Sequence, residues 1–145
     1  MGQTVETLEA FEAEAARFAA TLRPRPNVAT LVTLSGDLGA GKTAFTKALA
    51  RELGVNEVVS SPTFVLEKVY QLAPGKLFKR LIHIDAYRLE RGSDLAPLGF
   101  DESMKDADNL VVLEWPEKVA DVLPAPAAKI SIEALADGAR KIVYG

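Results

Sequence analysis

Residues 35–45 read "SGDLGAGKTAF", and this stretch is the strongest indication of the fold in the sequence. Gly36, Gly41, Lys42 and Thr43 stand in the spacing G-x-x-x-x-G-K-[ST], which is typical of a P-loop that binds phosphates. Glycines let the backbone curl until successive N–H groups point at phosphate oxygens, and the following helix adds the positive end of its dipole. The pattern predicts that Lys42 binds the β- and γ-phosphates of a nucleotide and that Thr43 binds Mg²⁺. The loop residues assigned to the nucleotide are Asp37, Leu38, Gly39, Ala40, Gly41, Lys42 and Thr43.

The segments on either side of the loop distinguish a P-loop from an ordinary glycine-rich surface turn. "NVATLVTLS" (27–35) is rich in β-branched and apolar residues, which predicts a buried strand. After Lys42, apolar residues at steps of three and four predict an amphipathic helix, with Gly54 as its C-terminal cap. A strand, a loop and a helix in this order favour the P-loop.

Further segments predict an α/β fold with a mixed, partly antiparallel central sheet in three layers. Apolar residues at helical spacing predict a first helix over residues 8–22, with Thr4 as its cap. "TFVLEKVYQL" (63–72) and "LFKRLIHIDAY" (77–87) are separated by the turn "APG", which is too short for a parallel crossover. These two segments are therefore predicted to form an antiparallel hairpin.

The C-terminal half is predicted to add one buried strand and a second hairpin. "NLVVLEW" (109–115) is the buried strand, and Asp137-Gly138 is a strong turn signal between two further strands. Short helices are expected within residues 91–107, with Ser93 as a cap, and over 116–123, where Pro116 suits the first helical position. We expect residues 1–145 to form a single P-loop ATPase domain.

Composition excludes several classes of protein. The chain has 145 residues and no cysteine, which excludes a disulfide framework, a thiolate zinc cluster and a catalytic thiol. No apolar run approaches the roughly 18 residues that span a bilayer, and the Glu-rich N-terminus does not resemble a signal peptide. A net charge of −3 lacks the basic excess of a domain that binds nucleic acid unaided, so any contact with nucleic acid is expected to be local or made through a partner.

Two carboxylates at strand ends are candidates to complete a site that cleaves phosphate. Glu114 follows the apolar run 110–113, and Asp85 ends "LIHID", where His83 and Asp85 share one face by strand alternation. We assign Glu114 to Mg²⁺ and Asp85 to the attacking water or to an outer contact, because P-loop enzymes need both roles filled. The alternative for each acid is an ordinary strand-end carboxylate that caps a loop.

Other residues near these motifs have weaker assignments. His83, the only histidine, and Trp115 are expected to be structural, whereas Arg88 is equally consistent with a phosphate contact and a surface position. The loop Ser60–Phe64 could sense the γ-phosphate or form a plain turn. The chain has no N/T-K-x-D segment, with which GTPases recognise guanine, and this absence favours ATP.

Four segments together resemble the bacterial TsaE family, also called YjeE: "GDLGAGKT", "SPTF", "HIDAYR" and "LEWPEK". Members of this family are small ATPases needed to make threonylcarbamoyladenosine on tRNA beside the anticodon. The resemblance implies a three-layer P-loop fold, a cytoplasmic location, and a heteromeric protein partner, the complex that transfers the threonylcarbamoyl group. ATP turnover would drive or reset that complex.

The resemblance also implies roles for individual residues. Lys42, Asp85 and Glu114 would be catalytic, and Thr43 and Glu114 would hold the metal. Thr7 and Arg140 match family residues near the nucleotide base.

Two other functions remain open from the residues alone. A small-molecule or nucleoside kinase would have the same P-loop, although "YRLERGSD" (87–94) supplies only two arginines for a lid. A nucleotide-gated adaptor would bind ATP and a partner without requiring hydrolysis.

Overall fold

A computed structural model describes residues 2–55, 57 and 66–145 of the chain. In these ranges seven strands form one sheet in the order β1-β7-β6-β2-β5-β4-β3. The strands are β1 (Gly2–Val5), β2 (Thr30–Ser35), β3 (Glu67–Gln71), β4 (Arg80–Asp85), β5 (Asn109–Glu114), β6 (Ala128–Ala134) and β7 (Arg140–Tyr144).

The centre of the sheet is parallel and its two sides are antiparallel. Strand β2 lies between β5 and β6 and is parallel to both, and β4 is parallel to β5. Strand β3 is antiparallel to β4, and β7 is antiparallel to β6 and to β1. The predicted mixed sheet and both predicted hairpins are therefore confirmed.

Helices cover the sheet on both faces, which confirms the three-layer α/β architecture. Helix α1 (Leu8–Thr21) and helix α2 (Lys42–Glu52) pack on one face, where Phe18, Phe45 and Leu49 meet the strands. A 3₁₀ helix (Gly92–Leu98) and helix α3 (Phe100–Met104) cover the other face. Each face of the sheet has its own hydrophobic core. Strand β2 contributes side chains to both, because adjacent residues of a strand point to opposite faces.

The structure corrects the predicted start of the first helix. Thr4 is not its cap. It belongs to β1, an edge strand that was not predicted, and it pairs there with Lys141 of β7. The cap is Thr7, whose Oγ1 accepts the backbone N–H of Ala10 at 3.0 Å. Both threonines suit a cap chemically, and the choice depends on where the preceding strand ends.

Two further local predictions are wrong. Ser93 is not a cap; the carboxylate of Asp94 accepts the backbone N–H groups of Glu90 and Arg91 instead. The helix expected over 116–123 is only a 3₁₀ turn, Pro116–Lys118. An isolated eight-residue helix is marginal, and this segment instead binds its neighbours: Asp121 accepts the N–H of Gly92 at 2.8 Å.

In the part of the chain that the structure describes, no helix combines the length and the apolar character needed to cross a bilayer.

Candidate nucleotide site

The glycine loop lies between the end of β2 and the start of α2, as predicted. Gly36 has φ +148° and Gly41 has φ +116°, a region that side chains rarely adopt. A Cβ atom on Gly36 would lie 2.4 Å from the carbonyl oxygen of Ile132 in β6. Glycine is thus required at position 36 for two reasons, the backbone angle and the close approach of β6.

Lys42 is buried at the first position of α2 and folds back over the loop. Its Nζ donates hydrogen bonds to the carbonyl oxygens of Gly36 and Asp37, the latter at 2.9 Å. Burial lowers the pKa of Lys42, while the negative charges of Glu114 and Asp85 act in the opposite direction. The ammonium group is therefore stabilised by hydrogen bonds to two loop carbonyls and by the negative charges of two carboxylates.

Asp85 and Glu114 lie side by side at the carboxyl ends of β4 and β5. They are register partners in the parallel pair, and both are almost fully buried. Oδ1 of Asp85 accepts the backbone N–H of Tyr87 at 3.0 Å. Oε2 of Glu114 lies 3.5 Å from Oγ1 of Thr43, which donates to it.

A cavity of about 220 Å³ joins the loop to both acids. Its lining contains Lys42, Thr43, Asp85, Glu114 and Trp115, so the structure brings together the predicted catalytic and metal residues. In the described ranges no three His, Cys, Asp or Glu side chains form a metal cluster. A hydroxyl and one carboxylate fit Mg²⁺, which is held in such sites by few protein ligands together with phosphate oxygens and water.

A second cavity, also of about 220 Å³, opens on the other side of Gly41. Thr7 and Arg140 line it together with Phe11, so residues more than a hundred positions apart in sequence meet beside the loop. Phe11, a buried residue of α1, places its ring 3.3 Å from the position of a Cβ on Gly41.

Trp115 and His83 contact the site more closely than expected. Trp115 is half-buried; its ring centre lies 4.3 Å from Nζ of Lys42 and 5.0 Å from the ring of Tyr87. Nε2 of His83 lies 2.6 Å from Oε2 of Glu114. Strand alternation placed His83 on the face of Asp85, but only the register of β4 against β5 reveals its contact with Glu114.

Two weaker predictions concern Arg88 and the segment Ser60–Phe64. Arg88 is exposed and does not line the cavity that contains Lys42. The segment Ser60–Phe64, predicted either to sense the γ-phosphate or to form a turn, lies outside the described residues.

Comparisons with known proteins agree on one family. A family model described as "Threonylcarbamoyl adenosine biosynthesis protein TsaE" matches residues 5–142. The tRNA threonylcarbamoyladenosine biosynthesis protein TsaE of Treponema pallidum is 43% identical over 113 residues, which cover 78% of this chain and 79% of the relative. The protein of the same name from Bacillus subtilis is 40% identical over 114 residues, covering 79% and 68%. The crystal structure of YdiB from Bacillus subtilis matches with a TM-score of 0.78 at 30% identity, covering 99% of this chain and 83% of that one.

Proposed function

The chain belongs to the TsaE family, and from this membership we propose that it is a Mg²⁺-dependent ATPase acting in the biosynthesis of threonylcarbamoyladenosine in tRNA. The observation that carries the proposal is the single cavity lined by Lys42, Thr43, Asp85 and Glu114. A P-loop alone holds phosphate, whereas two acids at neighbouring strand ends supply what cleavage additionally needs.

Each residue of the cavity has its own proposed role in phosphate cleavage. Backbone N–H groups of the loop and Nζ of Lys42 bind the phosphate chain, for which Lys42 leaves the carbonyls of Gly36 and Asp37. Oγ1 of Thr43 and the carboxylate of Glu114 would hold Mg²⁺. The bound ion supplies positive charge that balances the charge developing on the phosphate oxygens. Asp85 would orient the attacking water, and the N–H of Tyr87 holds its Oδ1 in position.

The second cavity is proposed to receive the adenine base. It shares Gly41 and Ala44 with the cavity that contains Lys42, so one nucleotide could extend from one into the other. Thr7 can still donate its hydroxyl proton while its oxygen accepts from Ala10, and Arg140 offers a planar guanidinium. Phe11 adds an aromatic edge.

The proposed output of ATP turnover is a change in a partner complex. The net charge of −3 argues against unaided tRNA binding, so the chain would act through a protein partner. We take this partner to be the complex that transfers the threonylcarbamoyl group to tRNA. This role would place the protein in the cytoplasm.

The test combines the purified chain, that complex, its activated threonylcarbamoyl donor, tRNA and Mg²⁺-ATP, with ADP release and threonylcarbamoyladenosine measured together. We expect slow ADP release by the chain alone, stimulation by the complex, and loss of both products with Lys42→Ala. Lys47→Ala is the matched control, because Lys47 lies exposed on the same helix. The proposal fails if transfer to tRNA proceeds equally well without ATP.

Asp85→Asn, which keeps the proposed metal ligands Thr43 and Glu114, separates an ATPase from a nucleotide-gated adaptor. If hydrolysis drives the partner, this variant loses ADP release and tRNA modification together. If modification persists while ADP release is lost, nucleotide binding alone is the output.

A further inference from the structure

We propose that His83 is a positioning residue for Glu114: its buried imidazole donates a hydrogen bond from Nε2 that holds the carboxylate against Thr43. This inference rests on the proposed ATPase function, since it assigns a task to a residue beneath the same cavity. His83 would touch neither the nucleotide nor the metal.

The strand register places His83 directly below the acid. His83 pairs with Val112 across the parallel strands β4 and β5, so Glu114 stands two residues further along on the same face. The imidazole is fully buried and reaches Glu114 diagonally, with 2.6 Å between Nε2 and Oε2. It lies between the core layer of Leu81 and Val112 and the floor of the cavity.

The surroundings of the second ring nitrogen decide the tautomer. Nδ1 of His83 is buried and has no hydrogen-bond partner among the residues that the structure describes. A proton on Nδ1 would therefore bury an N–H group without an acceptor, which is rarer in proteins than an acceptor without a donor. A proton on Nε2 instead points at a carboxylate oxygen that accepts it. The Nε2–H form satisfies the donor and leaves only the acceptor Nδ1 without a partner among the described residues.

The same oxygen of Glu114 is approached by two donors. Oε2 lies 2.6 Å from Nε2 of His83 and 3.5 Å from Oγ1 of Thr43, so the short contact with His83 is the one that fixes the position of this oxygen. Outer hydrogen bonds of this kind orient metal-binding carboxylates, and their loss commonly weakens metal binding about 10- to 100-fold.

The tautomer can be observed directly, because His83 is the only histidine in the chain. Nitrogen-15 NMR of the untagged protein, without nucleotide or metal, should show one imidazole with its proton on Nε2 and a slowly exchanging ring N–H. A spectrum of the Nδ1–H tautomer overturns the proposal.

A second experiment compares variants that keep or remove the donor. His83→Gln can place its amide nitrogen near the position of Nε2, whereas His83→Leu has similar bulk and no donor. Mg²⁺ is titrated into protein with excess ADP, and binding is followed by calorimetry. We expect about 10- to 100-fold weaker apparent Mg²⁺ binding for His83→Leu, but a change of less than about threefold for His83→Gln. ADP binding in EDTA should be the same for all, because Glu114 then has no ion to hold.

Each outcome bears on one proposal. Wild-type protein that binds no Mg²⁺-ADP contradicts the ATPase function itself. Wild-type binding with an unchanged Mg²⁺ titration in His83→Leu contradicts only the role of His83, as does an equal loss in His83→Gln. If His83→Leu does not fold, His83→Asn takes its place; its amide is too short to reach Glu114, so an unchanged Mg²⁺ titration in that variant also overturns the proposal.

Discussion

Nζ of Lys42 lies 4.3 Å from the centre of the Trp115 ring, so a buried cation of the P-loop rests on the face of an indole. Such a contact stabilises the cation through the ring quadrupole. Trp115 itself has φ +61°, a backbone angle that costs energy for a large side chain and is common at functional sites. The strained turn after β5 thereby places an aromatic surface beside the lysine.

The first prediction uses this pair as a reporter. Trp115 is the only tryptophan, so fluorescence excited selectively at tryptophan reports on this site alone. We expect ADP to change the emission in a saturable manner, because phosphate attracts Lys42 away from the ring. Adenosine at the same concentration is the control and should cause no change. Saturable ADP binding in a calorimeter with constant emission would show that Lys42 stays on Trp115.

The second prediction concerns the close approach of the loop and β6. Gly36→Ala places a methyl group 2.4 Å from the carbonyl oxygen of Ile132, whereas Gly39→Ala, at φ +79°, meets no atom within 4 Å. In both variants the left-handed backbone lowers the free energy of unfolding by about 1 to 2 kcal/mol. In Gly36→Ala the clash lowers it by about 1 to 3 kcal/mol more. Urea unfolding without nucleotide measures both. Equal losses of unfolding free energy would mean that β6 yields to the methyl group.

These two contacts illustrate what the sequence could predict. The P-loop was readable because its residues are local, and both acids were readable because each follows an apolar run. The register that sets Asp85 beside Glu114 was not readable, because it depends on pairing between strands that are far apart in the chain. The contact of His83 with Glu114 escaped prediction for the same reason.

The missed edge strand has a related cause. Residues Gly2–Val5 are mostly exposed and show no alternation of apolar and polar residues, so they carry no strand signal of their own. Their partner is β7, about 140 residues away, and the strand exists only because that pairing is available. Its end determines that Thr7, not Thr4, caps α1.

The third prediction concerns acid stability through Glu14. Arg17 donates two hydrogen bonds to this carboxylate at 2.9 and 2.6 Å, and Tyr144 donates a third from β7. The hydrogen bonds from Arg17 lower the pKa of Glu14 below 4.5, its value without these contacts. The unfolded chain therefore binds this proton more readily than the folded one, so the stabilisation is present above pH 4.5 and is lost as the pH falls through the lowered pKa.

The variant Glu14→Gln tests this pH dependence. At pH 7 we expect it to cost about 1 kcal/mol, or about 3 °C in Tm. Thermal unfolding from pH 7 to pH 3 should show the difference from wild type shrinking below pH 4.5. Glu12→Gln is the control, because its partner Arg51 is 70% exposed and such pairs contribute little. A Tm difference that stays constant down to pH 3 would exclude a contribution from the charge of Glu14.

The last prediction separates the two acids that end β4 and β5. Asp85→Asn keeps an oxygen that can accept the N–H of Tyr87, so the turn after β4 should remain intact. If Asp85 orients water, this variant should lower kcat about 10²- to 10⁴-fold, the usual worth of such a group, while Mg²⁺ binding changes less than about threefold. Glu114→Gln should instead weaken Mg²⁺ binding about 10- to 100-fold, because an amide replaces the charged ligand beside Thr43.

Single-turnover ATP cleavage with the partner complex and calorimetric Mg²⁺ titration with ADP give both quantities for each variant. The reverse pattern, with Mg²⁺ binding lost in Asp85→Asn and retained in Glu114→Gln, would exchange the two roles and place the ion on the β4 side of the cavity.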